Sequence, residues 1–244
     1  YNNVEKFKFI HIDCSNNWTA YLKKIIQTSS ELFNDKKIKY IINLPLNKKK
    51  FFKNQYNGFT EFFSMTLDNK KNENMLLFNK NFSVCPLTTH IEIKKVESQI
   101  NKAKLVNTIK NLIYFYKTII KKKIQIVVLG LNPHASKDLP KNNKDIKVVS
   151  KVIRNLKDKV DIKGPVSADT AFNKTKSKVY IGMYHDQVLI PFKMKNKFDG
   201  LNITIGKKII RLSPDHGTGK ELIKKPKFIN NQSFLSCVKF CEKY

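Results

Sequence analysis

Arginine is nearly absent from this 244-residue chain. Of 47 basic residues only Arg154 and Arg211 are arginine, against 19 acidic residues and a formal net charge of +28. Arginine is the side chain that grips phosphates and base edges bidentately. A lysine excess without it argues against specific nucleic-acid recognition. The lysine comes with abundant Asn and Ile, all spelled by A/T-rich codons, so most of the charge reads as coding bias on solvated surfaces. Weak, salt-sensitive adhesion to polyanions is all the charge predicts. Long apolar runs are missing too: stretches such as Ile126 to Leu129 fall far short of the ~20 residues that cross a bilayer, and no N-terminal segment has the layout of a signal peptide. The four cysteines, Cys14, Cys85, Cys237 and Cys241, form no CxxC. Cys237 and Cys241 have the spacing of one helix face, so reduced thiols in a cytoplasmic chain are expected, with no membrane partner. The chain starts at Tyr1 rather than Met, which suggests a fragment or a processed product.

Phosphate-binding signatures are also lacking. No GxGxxG occurs. Gly217-Thr218-Gly219-Lys220 has Pro214 where a P-loop needs its first glycine, and Glu221 where Ser or Thr must follow the lysine. What is present is an alternation of strand-like and helix-like segments. Strands are expected at 6–12, 38–44, 75–79, 82–88, 124–130, 178–184, 201–204 and 208–212. Helices are expected at 17–34, 60–67, 101–122 and 143–159 and in a closing region. Trp18 reads as helix packing, His11 as core or sheet edge, and Cys85 as a buried, inert thiol. Strands separated by helices of this length imply α/β architecture with parallel βαβ units. There is no internal repeat or low-complexity linker, and composition places no domain boundary.

Three of the five histidines follow strand candidates: His90 in LTTH, His134 in GLNPH and His185 in MYHD. Functional groups of open α/β sheets gather beyond the carboxyl ends of the strands. Three convergent imidazoles suit a divalent metal with open positions for substrate. Asp186 and Asp169 could then serve as outer partners or further ligands. Spacings of 44 and 51 residues form no local motif, so three unrelated loop histidines fit the spacing as well.

Taken in order, LTTH at 87–90, GLNPHA at 130–135, GPVSADTAF at 164–172, YHDQ at 184–187 and SPDHGT at 213–218 resemble the 4-hydroxythreonine-4-phosphate dehydrogenase family of pyridoxal phosphate (vitamin B6) biosynthesis. The likeness runs from about residue 38 to the end. It implies an α/β fold of two α/β/α domains with mixed sheets and a cleft between them: 1–57 with 206–244, and 58–205. It implies a homodimer, NAD, and a divalent metal (Zn, Co, Mn or Mg) held by His90, His134 and His185. The expected reaction is oxidation and decarboxylation of 4-phosphooxy-L-threonine. Carried over residue by residue, the substrate-binding positions are Thr60, Lys193, Asn202 and Arg211. Asp169, Asp186 and Lys48 are candidate proton acceptors. Asp215, His216, Gly217 and Thr218 are expected near the adenine end of the cofactor.

Four departures stand against that pattern. The family's glycine- and proline-rich opening segment has no counterpart. The family's GHTEFF reads Gly58-Phe59-Thr60-Glu61-Phe62-Phe63, with Phe59 for a substrate-contacting histidine. The TGPVHKG-like stretch reads NLPLNKKK at 43–50, and Ser136-Lys137 stands where Gly-Glu is usual. A relative acting on a 4-phosphorylated sugar acid such as threonate or erythronate, and an inactive truncated remnant, are the competing readings.

Overall fold

A computed structural model describes residues 10–13, 17–47, 51–52, 55–56, 59–68, 72–173, 178–197, 199–206, 209–225, 227 and 229–244. Eight strands form one mixed sheet: β1 (Tyr40–Ile42), β2 (Asn74–Phe78), β3 (Phe82–Pro86), β4 (Gln125–Leu129), β5 (Ile162–Val166), β6 (Lys178–Gly182), β7 (Leu201–Ile205) and β8 (Ile210–Pro214). Their order is β1-β8-β7-β2-β3-β6-β4-β5. The block β3-β6-β4-β5 is parallel, as is the pair β1-β8, whereas β2 runs antiparallel to both β3 and β7, and β7 to β8. The simple parallel expectation therefore holds only on part of the sheet: β2 and β3 are joined by a short hairpin, which forces an antiparallel pair. Strands from both expected units lie in this one sheet.

Helices cover both faces. α1 (Trp18–Asn34) starts where the Asn17 side chain accepts from the Thr19 and Ala20 amides, and it buries Leu22 and Ile26. α2 (Phe59–Asp68) packs with it around Phe52, Phe62 and Phe63. α3 (Lys102–Phe115) is capped by Asn101 and buries Leu105, Ile109, Leu112 and Phe115. It runs on through a π turn to a left-handed Lys121. With α4 (Lys151–Leu156) and α6 (Gln232–Lys243) it covers Leu76, Ile126, Val128, Ile181, Ile203 and Leu212. α5 (His185–Asn196) covers the other face through Val188, Leu189 and Phe192, which meet Leu77, Val84, Val127 and Tyr180.

Two elements are absent from the sequence reading. β5 reads IKGPV, where Gly and Pro erase a strand pattern; Pro165 is tolerated because β5 is an edge strand. α5 carries Pro191 inside it, and proline ordinarily ends a helical assignment. Of the expected strand 6–12, residues 6–9 fall outside the described residues and 10–12 are not in a strand. His11 is exposed beside Asp13 rather than in a core. Trp18 packs on Phe51 and Tyr21, as helix packing requires. Cys14 lies outside the described residues. Cys85 is fully buried, and burial pushes its thiol up to about 12, as an inert thiol requires. Among the described residues no helix is long and apolar enough to cross a membrane.

Candidate functional site

Period-two alternation in β7 (LNITI) and β8 (IRLSP) puts Ile203, Ile205, Ile210 and Leu212 into one core layer and sends Asn202, Thr204, Arg211 and Ser213 to the opposite face. There α5, the start of α2, residues 43–46 and Phe52 leave a cavity of about 440 Å³. Thr60, His90, His185, Asp186, Lys193, Asn202, Arg211, Asp215, His216 and Gly217 all line it, with Asn43, Phe59 and Ser213.

Arg211 is the cationic floor of this cavity, only 3% exposed. Its Nε donates to Asn43 Oδ1 at 2.5 Å, and the Phe59 ring lies against its guanidinium, 4.7 Å from centroid to Cζ. Thr204 Oγ1 is 3.5 Å from Nη1 and 3.4 Å from Thr60 Oγ1. Burial lowers the Arg211 pKa to about 10, which leaves it charged at neutral pH. Lys193, near the end of α5, is 3.2 Å from Asp215 Oδ1 and donates to the Asp215 carbonyl. Burial raises the Asp215 carboxyl, and Lys193, His216 and His185 only partly offset that. The buried Oδ1 of Asn202 and Oδ2 of Asp215 have no hydrogen-bond partner among the described residues. Two cationic donors and an unsatisfied amide oxygen acceptor on the wall of one cavity suit an anion that also carries an N–H or O–H group.

The histidines come from the carboxyl ends of adjacent parallel strands. β3 leads to His90, β6 to His185 and β4 to His134. His90 and His185 face each other with ring centroids 5.6 Å apart. Nδ1 of His185 donates to Asp186 Oδ1 at 2.6 Å, and Nδ1 of His90 meets Glu61 Oε1 at 3.3 Å. Burial pushes the Glu61 carboxyl up, but the bond to His90 and its charge, the helix backbone and Thr89 outweigh that, so it lies below its ordinary value. With Nδ1 held by a carboxylate, each ring keeps its Nε2 lone pair for a ligand. This is the orientation metal-binding imidazoles take, so the donor chemistry fits a divalent cation.

His134 stands apart: it is exposed and absent from the cavity wall. Among the described residues no three His, Cys, Asp or Glu side chains come together as a ligand set. Its turn is unusual, with His134, Ala135 and Ser136 all left-handed at φ 53°, 53° and 61°. Asp145, fully buried, holds that turn. Its Oδ1 accepts from Leu131 N–H at 2.7 Å, and its Oδ2 accepts from Ser136 Oγ at 2.6 Å and from the backbone and side-chain amides of Asn132. Asp169 sits exposed after β5 and accepts from the next amide, that of Thr170; Thr218 is exposed; neither is on the cavity wall. Lys48 lies outside the described residues. Glu61, Asn43, Ser213 and Asp145 were missed by sequence reasoning. Only the alternation of LNITI and IRLSP carries a signal that could have found Ser213.

The family model of the pyridoxal phosphate biosynthetic protein PdxA matches residues 4–241. The 4-hydroxythreonine-4-phosphate dehydrogenase of Sulfurihydrogenibium sp. is 37% identical over 193 residues, covering 77% of this chain and 60% of that protein. The D-threonate 4-phosphate dehydrogenase of Pectobacterium atrosepticum is 33% identical over 75% of this chain and 57% of its own length. The crystal structure of the 4-hydroxythreonine-4-phosphate dehydrogenase of Klebsiella pneumoniae superimposes with a TM-score of 0.77 at 25% identity, covering 92% of this chain and 70% of that one. The chain thus spans about 60% of the length of these relatives. Matched along nearly its whole length in sequence and in fold, the chain belongs to the PdxA family of pyridoxal phosphate biosynthetic proteins.

Proposed function

We propose that this chain carries the site for NAD-dependent oxidation and decarboxylation of 4-phosphooxy-L-threonine to 3-amino-2-oxopropyl phosphate, CO2 and NADH. The observation that carries this reading is one cavity with Arg211 and Lys193 as anion receptors and the carboxylate-oriented pair His90 and His185 on its wall. The two cations suit the phosphate and carboxylate, and Asn202 Oδ1 suits the substrate's ammonium or hydroxyl. Thr60 adds a hydroxyl donor. Asp186 and Glu61 keep the two imidazoles in the tautomer that leaves Nε2 available.

A divalent cation at these imidazoles supplies a Lewis acid that lowers the pKa of a bound hydroxyl. A nicotinamide bound beside the cavity would supply the acceptor for hydride from the hydroxyl carbon. The hydroxyl proton goes to a base, for which Asp186 is the candidate on the cavity wall. The β-keto acid so formed loses CO2, and the carbon takes back a proton. The loop Asp215-His216-Gly217 borders the cavity, and the adenine end of the cofactor is assigned to it. His134 stands apart from the pair within one chain, so the reading requires a homodimer in which a second copy's His134 completes the set. A cytoplasmic location accords with the reduced thiols.

The test is NADH formation at 340 nm from 4-phosphooxy-L-threonine and NAD, before and after chelation. Chelator-sensitive NADH supports the reading; none, from folded, metal-loaded protein, refutes it. The second reading, a 4-phosphorylated threonate as substrate, is favoured by the similarity to the Pectobacterium protein. It differs only in a hydroxyl for the amine, and equal turnover of the two substrates would sink the strict B6 assignment.

A further inference from the structure

One side chain with no role in the reading above ties the histidine-bearing strand ends together. The Gln187 carboxamide lies between two of them: Met183 N–H donates to its Oε1 at 2.7 Å, and its Nε2 donates to the Gly130 carbonyl at 2.7 Å. Met183 in turn offers its carbonyl to the Thr88 hydroxyl at 2.7 Å and to the Thr88 amide at 3.2 Å, two residues before His90. An amide partner that must donate and a carbonyl partner that must accept fix which end of the carboxamide faces which. The packing leaves no slack around this bridge. A Cβ on Gly182 would meet Val188 Cγ1 at 2.4 Å, and one on Gly130 would meet Ala135 Cα at 2.6 Å. The left-handed turn of His134 therefore sits directly on the backbone that Gln187 holds, and Asp145 holds the same turn through Leu131, Asn132 and Ser136.

We propose that Gln187 is a positioning residue that locks the His134 turn to the strand ends bearing His185 and His90. This rests on the reading of those three histidines as metal ligands. The carboxamide sets the direction in which His134 leaves β4 and, through Met183 and Thr88, braces the strand ends that carry His185 and His90. Each site of the dimer draws its pair from one copy and its His134 from the other, so the geometry of the set depends on this brace in both. Its loss lets β4 and β6 ends shift independently while every imidazole is still present.

The experiment is a Co²⁺ titration of the full chain, followed by the visible absorption of the bound ion, alongside thermal unfolding. Wild type is expected to bind, and His185→Ala to lose binding. Gln187→Met, which keeps the length and loses both bonds, is expected to bind about 10–100-fold more weakly, the range found when the outer partners of metal ligands are removed. Its absorption band should change shape. Should Gln187→Met not fold, Gln187→Glu makes the same test. It still accepts from Met183 but sets a carboxylate against the Gly130 carbonyl, and a weakening of about tenfold or more is expected. Tyr116→Phe, which breaks the buried bond to Ser83, controls for stability alone; it should melt earlier and bind Co²⁺ as wild type does. A folded Gln187→Met or Gln187→Glu with wild-type affinity and spectrum overturns the proposal and leaves the metal reading standing. Absence of Co²⁺ absorption in wild type removes both.

Discussion

Replacing Phe59 by leucine tests how the cavity holds its buried cation. Arg211 is almost wholly buried, yet its guanidinium has no carboxylate within ion-pair distance among the described residues; one face lies on the Phe59 ring and Nε on Asn43. A desolvated cation–π contact contributes about 2 kcal/mol. Phe59 also meets the rings of Phe52, Phe62 and Phe63 at 6.3, 5.8 and 6.5 Å, and losing those contacts adds about 1 kcal/mol. Phe59→Leu should therefore cost about 3 kcal/mol. At 2–4 °C per kcal/mol for a chain of this size, its unfolding midpoint should fall by about 6–12 °C. The contribution of Arg211 is isolated by a double-mutant cycle with Arg211→Met, read by urea unfolding. The coupling expected is about 1–2 kcal/mol, because the leucine substitution in the methionine background loses only the ring contacts. Coupling below about 0.5 kcal/mol would show that the ring does not support the guanidinium, and the account of the cavity floor would be wrong. Phe59→His, the residue that the motif resemblance implies at this position, keeps a flat ring and adds a donor. It should cost less stability than leucine and lower the KM for the phosphorylated substrate.

Asp145→Asn replaces an acceptor by a donor facing Ser136 and Asn132, so about 2–3 kcal/mol should be lost and the midpoint should drop by about 5–10 °C; a shift under 1 °C would contradict the role given to Asp145. Asp215 has a folded pKa raised above its ordinary 3.8. Its contribution to stability is thus complete below that value and is lost as pH climbs through the folded value. Asp215→Asn should gain stability relative to wild type as pH rises above the ordinary aspartate value, measured by urea midpoints; a constant difference would contradict the raised carboxyl. If a second copy supplies His134, an equal mixture of inactive His90→Ala and His134→Ala chains, refolded together, should recover about a quarter of wild-type activity, since half the dimers form one intact site of two. No recovery would confine the site to one chain.

Much of the scaffold was legible because it depends on local period. Asn17 followed by the apolar spacing of Trp18, Leu22 and Ile26 predicts α1, and the run IQIVVL predicts β4. The alternation in LNITI and IRLSP implies that Asn202 and Arg211 leave the apolar face, whatever lies opposite. Local rules failed where tertiary packing overrides them. β5 survives a Gly-Pro pair because it is an edge strand, and α5 survives Pro191 because apolar neighbours cover it along the sheet. The strand-end positions of His90, His134 and His185 were equally visible, but their distances were not. Adjacency of β3 and β6 brings the first and last together, while a left-handed turn held by Asp145 sends His134 elsewhere. Nor could spacing reveal that Glu61 meets His90 from 29 residues away, that Phe59 lies on Arg211, or that Gln187 bridges β4 and β6. Residue type and local period determine which chemistry the chain can offer and on which face. Which side chains meet depends on strand order and on turns closed by partners distant in sequence, and only the folded chain decides those.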